Sequence, residues 1–249
     1  MIYTGQREKS FRGERIPMNL LDILYPKHCA LCDRVVTGRE YPVCFSCRNE
    51  LKPIDGPRCM RCSKPIENET EEFCLDCKRH HFSYDSGFAV FLYSGKLKDS
   101  VLRFKYAGRQ EYSGFYGQMM NLFASGQVKR WNPDVLMPVP VHRAKLAKRG
   151  YNQAQVLAET LGKMWNIPVD GKTLKRKKNT RAQKELDPKE RKRNLREAFV
   201  LEGKINYHTV ILIDDIYTTG STVDVLAGLL KTNGVKKVCF LTLCIGKGF

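Results

Sequence analysis

Several features that mark other classes of protein are missing from this sequence. No window approaches the about 18 consecutive apolar residues of a transmembrane helix, so a membrane span is excluded. The opening stretch MIYTGQREKSFRGER has no apolar core segment, which predicts that the chain carries no secretory leader and stays in the cytoplasm. The G-x-x-x-x-G-K-[ST] loop is also absent, which excludes nucleotide hydrolysis by a site of that class.

Acidic residues are few relative to basic ones. The 249-residue chain contains 43 Lys and Arg against 26 Asp and Glu, and its formal charge at pH 7 is +17. A field of this sign favours polyanionic partners such as nucleic acid, phosphorylated metabolites or an anionic membrane face. A uniformly solvated basic surface is the alternative, so the distribution of the charge along the chain is more informative than its total.

Cysteine is abundant, and eight of the ten cysteines form C-x-x-C pairs. The pairs begin at intervals of 15 residues and are Cys29/Cys32, Cys44/Cys47, Cys59/Cys62 and Cys74/Cys77. Two such pairs supply the four thiolates of a tetrahedral site, so the sequence predicts two structural Zn²⁺ ions. The eleven-residue loops between neighbouring pairs favour sequential sites, and a cross-brace that joins the first pair to the third is the alternative. A redox role would need a βαβ context, which this region lacks.

The cysteine-rich region is expected to form a small module beside a larger domain. We assign residues 1–18 to a basic flexible tail, residues 19–82 to a double zinc ribbon and residues 83–249 to the larger domain. A module of about 60 residues has too small a core to fold readily without its metal. Its basic side chains fit DNA contact, docking to a partner or a solvated surface, and the sequence leaves these three interpretations open.

Beyond residue 83, apolar segments typical of strands alternate with segments of helical period. The strand-like segments lie at 88–93, 135–137, 209–213 and 238–244, and the helical ones at 97–104, 154–165, 187–199 and 221–231. This alternation predicts an α/β domain with a mainly parallel sheet and helices on both faces.

The clearest functional signal is the run VILIDDIYTTGST at residues 210–222. Apolar residues end in Asp214 and Asp215 at the carboxyl end of a strand, where open α/β sheets bind ligands. Hydroxyl side chains and a glycine then lead into a helix, whose unpaired N–H groups attract a phosphate. The carboxylates suit ribose hydroxyls or a magnesium-bound sugar phosphate. A turn with a helix N-cap is the purely structural alternative.

This run resembles the phosphoribosyl-pyrophosphate (PRPP) motif of type I phosphoribosyltransferases. Together with the cysteine pairs, it makes the chain resemble the ComF family of competence proteins over roughly residues 19–247. Three further groups of residues carry the resemblance: 104–108 (FKYAG); 138–142 (PVPVH) with 149–154 (RGYNQA); and 181–183 (RAQ) with 193–194 and 198–199. The fold that the resemblance implies is a type I phosphoribosyltransferase-like sheet preceded by the double zinc ribbon.

The resemblance implies a role for each residue of the run. Asp214 and Asp215 would hold the ribose 2′- and 3′-hydroxyls, directly or through the Mg²⁺ that accompanies PRPP. The residues that would bind the 5′-phosphate are Thr218, Thr219, Gly220, Ser221 and Thr222. Purine-base transferases with a similar motif carry Asp at the position of Thr218, so its absence argues against purine salvage.

Two other segments also take roles from the resemblance. His142 and Arg143 occupy the position of the pyrophosphate loop, and residues 175–194 occupy that of the mobile catalytic loop. The candidate catalytic residues in the latter are Arg181, Gln183 and Lys184. In an active transferase, Mg²⁺-pyrophosphate leaves while a nucleophile attacks C1 of the ribose through a cationic transition state.

Much of the positive charge is concentrated in residues 172–196, which contain twelve Lys or Arg and three acidic residues. This segment is a candidate for binding the backbone of single-stranded DNA, since polybasic segments bind nucleic acid by counterion release. A loop that closes on pyrophosphate and a solvated helix face are the alternatives.

Three functions remain in competition on the sequence. The first is a DNA-uptake component for natural transformation, which binds PRPP or a related sugar phosphate and single-stranded DNA. The second is an active phosphoribosyltransferase on an unknown acceptor, and the third is a zinc-ribbon adaptor with a vestigial transferase site. Since the chain lacks a P-loop, the first function requires a motor partner. The resemblance suggests the competence helicase at the cytoplasmic face of the uptake machinery.

Overall fold

The computed structural model describes residues 26–37, 41–177 and 194–246. The predicted tail (1–18) and the candidate catalytic residues Arg181, Gln183 and Lys184 lie outside these ranges. Within the described part of the chain, no helix combines the length and the apolar character needed to cross a membrane.

The centre of the molecule is a parallel sheet of four strands. In chain order these are β1 (Ser86–Leu92), β2 (Val135–Pro138), β5 (Thr209–Tyr217) and β6 (Lys237–Ile245). Their order across the sheet is β1-β6-β5-β2, and every neighbouring pair is parallel. Two further strands, β3 (Leu174–Arg176) and β4 (Phe199–Leu201), form a separate antiparallel pair.

Helices cover both faces of the sheet, and the predicted α/β fold is confirmed. The helices are α1 (Phe45–Glu50), α2 (Leu75–Arg79), α3 (Gly95–Tyr106), α4 (Tyr112–Trp131), α5 (Arg143–Arg149), α6 (Gln153–Trp165) and α7 (Ser221–Thr232). Helices α3, α4 and α6 pack on one face, and α7 packs on the other. Strand β5 is buried by both layers of helices. Ile211 and Ile213 pack in the core beside α3, α4 and α6, and Val210 and Leu212 pack in the core beside α7. A strand buried on both faces is apolar throughout.

The structure differs from the sequence expectations at two places. We expected the strand to end at residue 213, but β5 continues to Tyr217 because its pairing with β6 extends to Ile245. Asp214 and Asp215 therefore lie within the strand. The helix expected over 187–199 is wrong at its end, where residues 194–196 are helical but Phe199 already begins β4.

Both edges of the parallel sheet are covered. At the β1 edge, Ile54 donates its backbone N–H to Val90 O at 2.8 Å. At the β2 edge, the Leu136 N–H donates to Pro168 O at 2.9 Å, and the Asp170 N–H donates to Leu136 O at 3.0 Å. Covered edges leave no row of free N–H and C=O groups for pairing with another chain.

Candidate functional site

The eight paired cysteines form two separate clusters. Cys29, Cys32, Cys44 and Cys47 form one, and Cys59, Cys62, Cys74 and Cys77 form the other, and in each cluster the sulfur atoms lie within 4.8 Å of one another. The Sγ–Sγ distance is 3.8 Å between Cys32 and Cys44 and 3.5 Å between Cys62 and Cys74. A tetrahedral zinc ion with bonds of about 2.3 Å needs sulfur atoms about 3.8 Å apart. The clusters therefore fit two structural zinc ions, and each combines sequential pairs.

The two zinc ribbons repeat one local structure but attach to different parts of the domain. We call residues 27–51 the first ribbon and residues 53–79 the second ribbon. The residue after each leading C-x-x-C pair, Asp33 or Ser63, has a positive φ of 64° or 66°. Asp33 accepts a bond from Tyr112 Oη and forms an ion pair with Arg109 at 3.1 Å, whereas Ser63 faces the sheet.

The second ribbon attaches to edge strand β1. The Ala89 N–H donates to Ser63 Oγ at 3.3 Å, and the Arg58 guanidinium donates to Ala89 O at 2.7 Å. Within this ribbon, the ammonium of Lys64 forms an ion pair with Asp76 at 2.5 Å, and the Lys64 side chain is only 8% exposed. The second ribbon therefore packs directly against the larger domain and is not a separate unit.

The acidic pair, Asp214 and Asp215, lies near the carboxyl end of β5. Asp215 is buried, and its Oδ2 lies 2.8 Å from Nζ of Lys105 at the end of α3. Burial lowers the pKa of Lys105, but the charges of Asp215 and Asp214 outweigh this effect and raise the pKa above its ordinary value. Burial raises the pKa of Asp214 well above its ordinary value, and the charge of Asp215 raises it further. The two carboxyl groups are therefore not equivalent.

The phosphate loop, residues 218–222, follows directly and leads into α7. Gly220 is the N-cap of α7 and has a φ of 79°, which favours glycine. A Cβ at this position would also lie 2.2 Å from the hydroxyl of Tyr217. Within the described part of the chain, the N–H groups of Thr219, Gly220 and Thr222 have no backbone acceptor. Together with the N-terminus of a twelve-residue helix, these free donors suit a phosphate.

A cluster of three buried aromatic residues, Tyr84, Tyr217 and Phe240, packs next to the phosphate loop. Tyr217 stacks on Phe240 with ring centroids 4.6 Å apart, and its hydroxyl lies 2.6 Å from that of Tyr84. All three rings belong to the buried core that contains the cysteines of the second ribbon. The second ribbon therefore contributes to the support of the loop.

Four cations, which we call the cation cluster, surround this end of the sheet. They are Lys105, Lys145, Arg149 and Arg176. Burial lowers the pKa of Lys145, and the positive charges of Arg176, Arg149 and Lys105 lower it further. The charge of Asp214 opposes a fall in the pKa of Arg176 that burial causes. The cluster thus places several positive charges beside the acidic pair.

His142 and Arg143 lie at the start of α5, after the end of β2. His142 is the N-cap of α5, and its Nδ1 accepts a bond from the Ala144 N–H at 3.2 Å. Arg143 is exposed, and in the described ranges no contact joins either residue to the acidic pair. The structure therefore places them at the same end of the sheet as the phosphate loop without bringing them into contact with it.

Sequence reasoning missed the residues that reach the acidic pair from elsewhere in the chain. Lys105 lies in one of the segments that carry the family resemblance, yet its position in the chain suggested no partner. Arg149 lies in another such segment, and Arg176 was predicted only as part of the basic segment and of the expected catalytic loop at 175–194. Each of the three residues lies in a segment that the sequence marks as functional, but the sequence does not show which of these residues come into contact.

Two family models match the chain. The double zinc ribbon domain matches residues 20–78, and the phosphoribosyl transferase domain matches residues 121–248. The first match covers both cysteine clusters, and the second covers the strand with the acidic pair and the phosphate loop.

Three curated proteins are similar to the chain over most of its length. Competence protein F of Haemophilus influenzae is 30% identical, with 79% of this chain and 87% of that protein covered. Competence protein ComFC of Bacillus subtilis is 31% identical, with 83% and 89% covered. DNA utilization protein YhgH of Escherichia coli is 27% identical, with 88% and 97% covered.

Proposed function

The chain belongs to the ComF family of competence proteins, and on this premise we propose that it binds PRPP or a related sugar phosphate together with single-stranded DNA. Its relatives are named for competence and for DNA utilization, which supports a role in DNA uptake during natural transformation. In this role it works in the cytoplasm with a helicase of the uptake machinery, because the sequence has no P-loop of its own.

The observation that carries the proposal for the ligand is the position of the acidic pair beside the phosphate loop. Asp214 and Asp215 offer acceptors for the vicinal hydroxyls of a ribose. The free N–H groups of Thr219, Gly220 and Thr222 offer donors to a phosphate at the next turn of the chain. A ribose with a 5′-phosphate has these two sets of groups, and it presents them a few bonds apart.

The cation cluster favours a ligand that carries a second anionic group. Lys145 and Arg149 add positive charge beside Lys105, so neutralising the site takes more negative charge than one 5′-phosphate carries. The diphosphate of PRPP supplies this negative charge. Asp214 and Asp215 carry the oxygen ligands that Mg²⁺ prefers, and a bound Mg²⁺ would neutralise part of the diphosphate charge.

Calorimetry with Mg²⁺-PRPP tests the ligand. The full chain should bind PRPP with a stoichiometry of one, and ribose 5-phosphate should bind more weakly because it lacks the diphosphate. Inorganic phosphate at the same concentration serves as a control for nonspecific binding to a basic protein. Absence of PRPP binding at millimolar concentration would contradict the proposal. The same titration with an oligonucleotide present measures whether the two ligands influence each other.

An active phosphoribosyltransferase is the second candidate, and the cation cluster supports it because the reaction must stabilise a leaving pyrophosphate. Release of pyrophosphate from PRPP in the presence of candidate acceptors would identify this activity. The third candidate, an adaptor with a vestigial site, is disfavoured by the intact acidic pair and phosphate loop, since neither is needed by an adaptor.

Single-stranded DNA binding is assigned to the basic segment 172–196 and is tested by its salt dependence. Lys175, Lys177 and Lys178 are changed to Ala, while Arg176 is retained because it faces Asp214. The slope of log affinity against log salt should become shallower by about 0.7 for each lost phosphate contact, about 2 in all. PRPP affinity should change little.

The control is a triple variant with the same change of charge at other exposed lysines, namely Lys96, Lys98 and Lys129. Its salt slope should remain close to that of the unmodified protein. The triple variant of the basic segment could instead keep its salt slope and lose PRPP binding. In that case the basic segment belongs to the sugar-phosphate site, and its assignment to DNA binding is wrong.

A further inference from the structure

Lys105 reaches the acidic pair from outside its own strand and forms an ion pair with Asp215. It lies 110 positions before Asp215 in the sequence, and its Nζ is 2.8 Å from Asp215 Oδ2. The Lys105 side chain is 19% exposed and that of Asp215 is 6% exposed. A lysine held in this way does not belong to a solvated surface, and its ammonium forms an ion pair with one carboxylate oxygen.

The first ribbon holds the helix that carries Lys105. Ser100 donates its hydroxyl hydrogen to Ala30 O, and the Arg103 guanidinium donates to Leu31 O. Both acceptors lie within the first C-x-x-C turn, between Cys29 and Cys32. Side chains of α3 therefore bind the backbone between two metal ligands of the first ribbon, and Arg103 is two residues before Lys105.

The RGYNQA segment holds the two neighbours of Lys105. Tyr151 donates its hydroxyl hydrogen to Phe104 O. Arg149 lies over the ring of Tyr106, with its Cζ 4.7 Å from the centroid, and it donates to Tyr106 Oη at 3.0 Å. Contacts on both sides leave Lys105 little freedom to move away from Asp215.

From these contacts we infer that Lys105 is a positioning residue of the sugar-phosphate site, which orients the Asp215 carboxylate toward the ribose and is itself held in place by the first ribbon through α3. The inference rests on the proposed function. It adds Lys105 to the sugar-phosphate site and gives the first ribbon the role of holding the helix that carries Lys105. Lys105 lies beside Oδ2 of Asp215 and gives this buried carboxylate a counterion. Without Lys105, a carboxylate buried beside Asp214 would lose its counterion, since like charges that close repel each other.

The variant Lys105→Met tests the positioning role of Lys105. It should weaken the binding of Mg²⁺-PRPP about tenfold or more, the scale expected for hydrogen bonds to a charged group. Lys105→Arg keeps the positive charge and should recover part of the loss. Lys96→Met is the matched control, because Lys96 is on the same helix and also forms an ion pair, with Glu50 at 2.6 Å, but that pair is exposed. It should bind PRPP normally.

A double-mutant cycle separates positioning from a general effect on folding. If Lys105 acts through Asp215, then Lys105→Met with Asp215→Asn should bind PRPP no more weakly than the weaker of the two single variants. The double variant removes both charges of the buried pair, so it should also melt above Lys105→Met. Additive losses in the cycle would show that Lys105 acts independently of Asp215 and would overturn the inference.

The variant Arg103→Met tests the connection to the first ribbon. It removes the donor to Leu31 O and should weaken PRPP binding several-fold, while metal analysis still finds two zinc equivalents. Unchanged affinity in Arg103→Met would overturn the role assigned to the ribbon. Failure of the unmodified protein to bind PRPP would overturn the proposed function, whereas normal binding by Lys105→Met would overturn this inference alone.

Discussion

The variant Asp214→Asn is expected to lower the affinity for PRPP while leaving the fold as stable as before or more stable. Loss of a hydrogen bond between a charged group and the ribose should reduce the affinity about tenfold to a hundredfold. Stability should not fall, because burial and the charge of Asp215 both raise the pKa of Asp214 and oppose its ionised form. A neutral amide of similar shape removes the unfavourable charge of this half-buried side chain.

The pH dependence of melting provides a second measurement on this variant. The pKa of Asp214 is higher in the folded protein than in the unfolded chain, so its contribution to stability is fully present below the unfolded pKa of about 3.9. That contribution is lost as the pH rises toward the folded pKa. We therefore expect the melting temperature of Asp214→Asn to exceed that of the unmodified protein by an amount that grows with pH over this range.

Asp215→Asn is the matched control and should behave differently. The same chemical change here removes the counterion of Lys105, whose ammonium is 2.8 Å from Asp215 Oδ2 and mostly buried. Breaking a buried ion pair leaves an uncompensated charge, so both the affinity for PRPP and the melting temperature should fall. Equal melting temperatures for the two variants would contradict the unequal environments that the structure gives to the two carboxyl groups.

The variant Cys62→Ser is expected to lose one of two zinc equivalents and to destabilise the protein strongly. Structural zinc sites bind with an apparent free energy of about 10–16 kcal/mol, which is comparable to the whole stability of a typical domain. Cys62 is fully buried, and its ribbon covers the β1 edge through Ser63 and Arg58. Loss of this metal should therefore expose the edge of the sheet as well as the ribbon.

Alkylation of cysteines after loss of the metal distinguishes sequential sites from a cross-brace. In Cys62→Ser, the thiols of Cys59, Cys74 and Cys77 should become reactive, while those of the first ribbon stay protected. Labelling of Cys29 and Cys32, with protection of Cys74 and Cys77, would support a cross-brace and contradict the clusters seen here. Cys239→Ala is the control, because Cys239 is buried in the sheet outside both clusters and its loss should leave two zinc equivalents.

Features that depend on neighbouring residues could be predicted from the sequence. A C-x-x-C turn places two thiols on one metal because its geometry is set within four residues, and the eleven-residue loops between neighbouring pairs favoured sequential sites. The run of apolar residues before Asp214 indicated a strand, and Gly220 after two threonines indicated a loop that leads into a helix. The error at the end of β5 has a related cause, since Asp214 and Asp215 interrupt the apolar run, and the strand continues past them through its pairing with β6.

The two ribbons illustrate what a repeat in the sequence does not specify. Asp33 and Ser63 occupy equivalent places in the repeat, and both have a positive φ. Asp33 nevertheless contacts Arg109 and Tyr112, whereas Ser63 contacts the backbone of β1. The spacing of the cysteines determines the local metal site, but the surface that each ribbon meets depends on how the rest of the chain folds around it.

The sequence by itself determined the two cysteine clusters, the alternation of strands and helices, and the acidic pair followed by the glycine-containing turn that leads into α7. Only the tertiary structure decided that Lys105 reaches Asp215, that the first ribbon holds α3 and that the second ribbon covers the edge of β1. The physical reason is the range of the interactions. Turns, helix ends and metal knuckles are specified by residues within one or two turns of each other. An ion pair across 110 residues leaves no periodic pattern in the chain, because its two members meet only after the sheet and α3 have packed together.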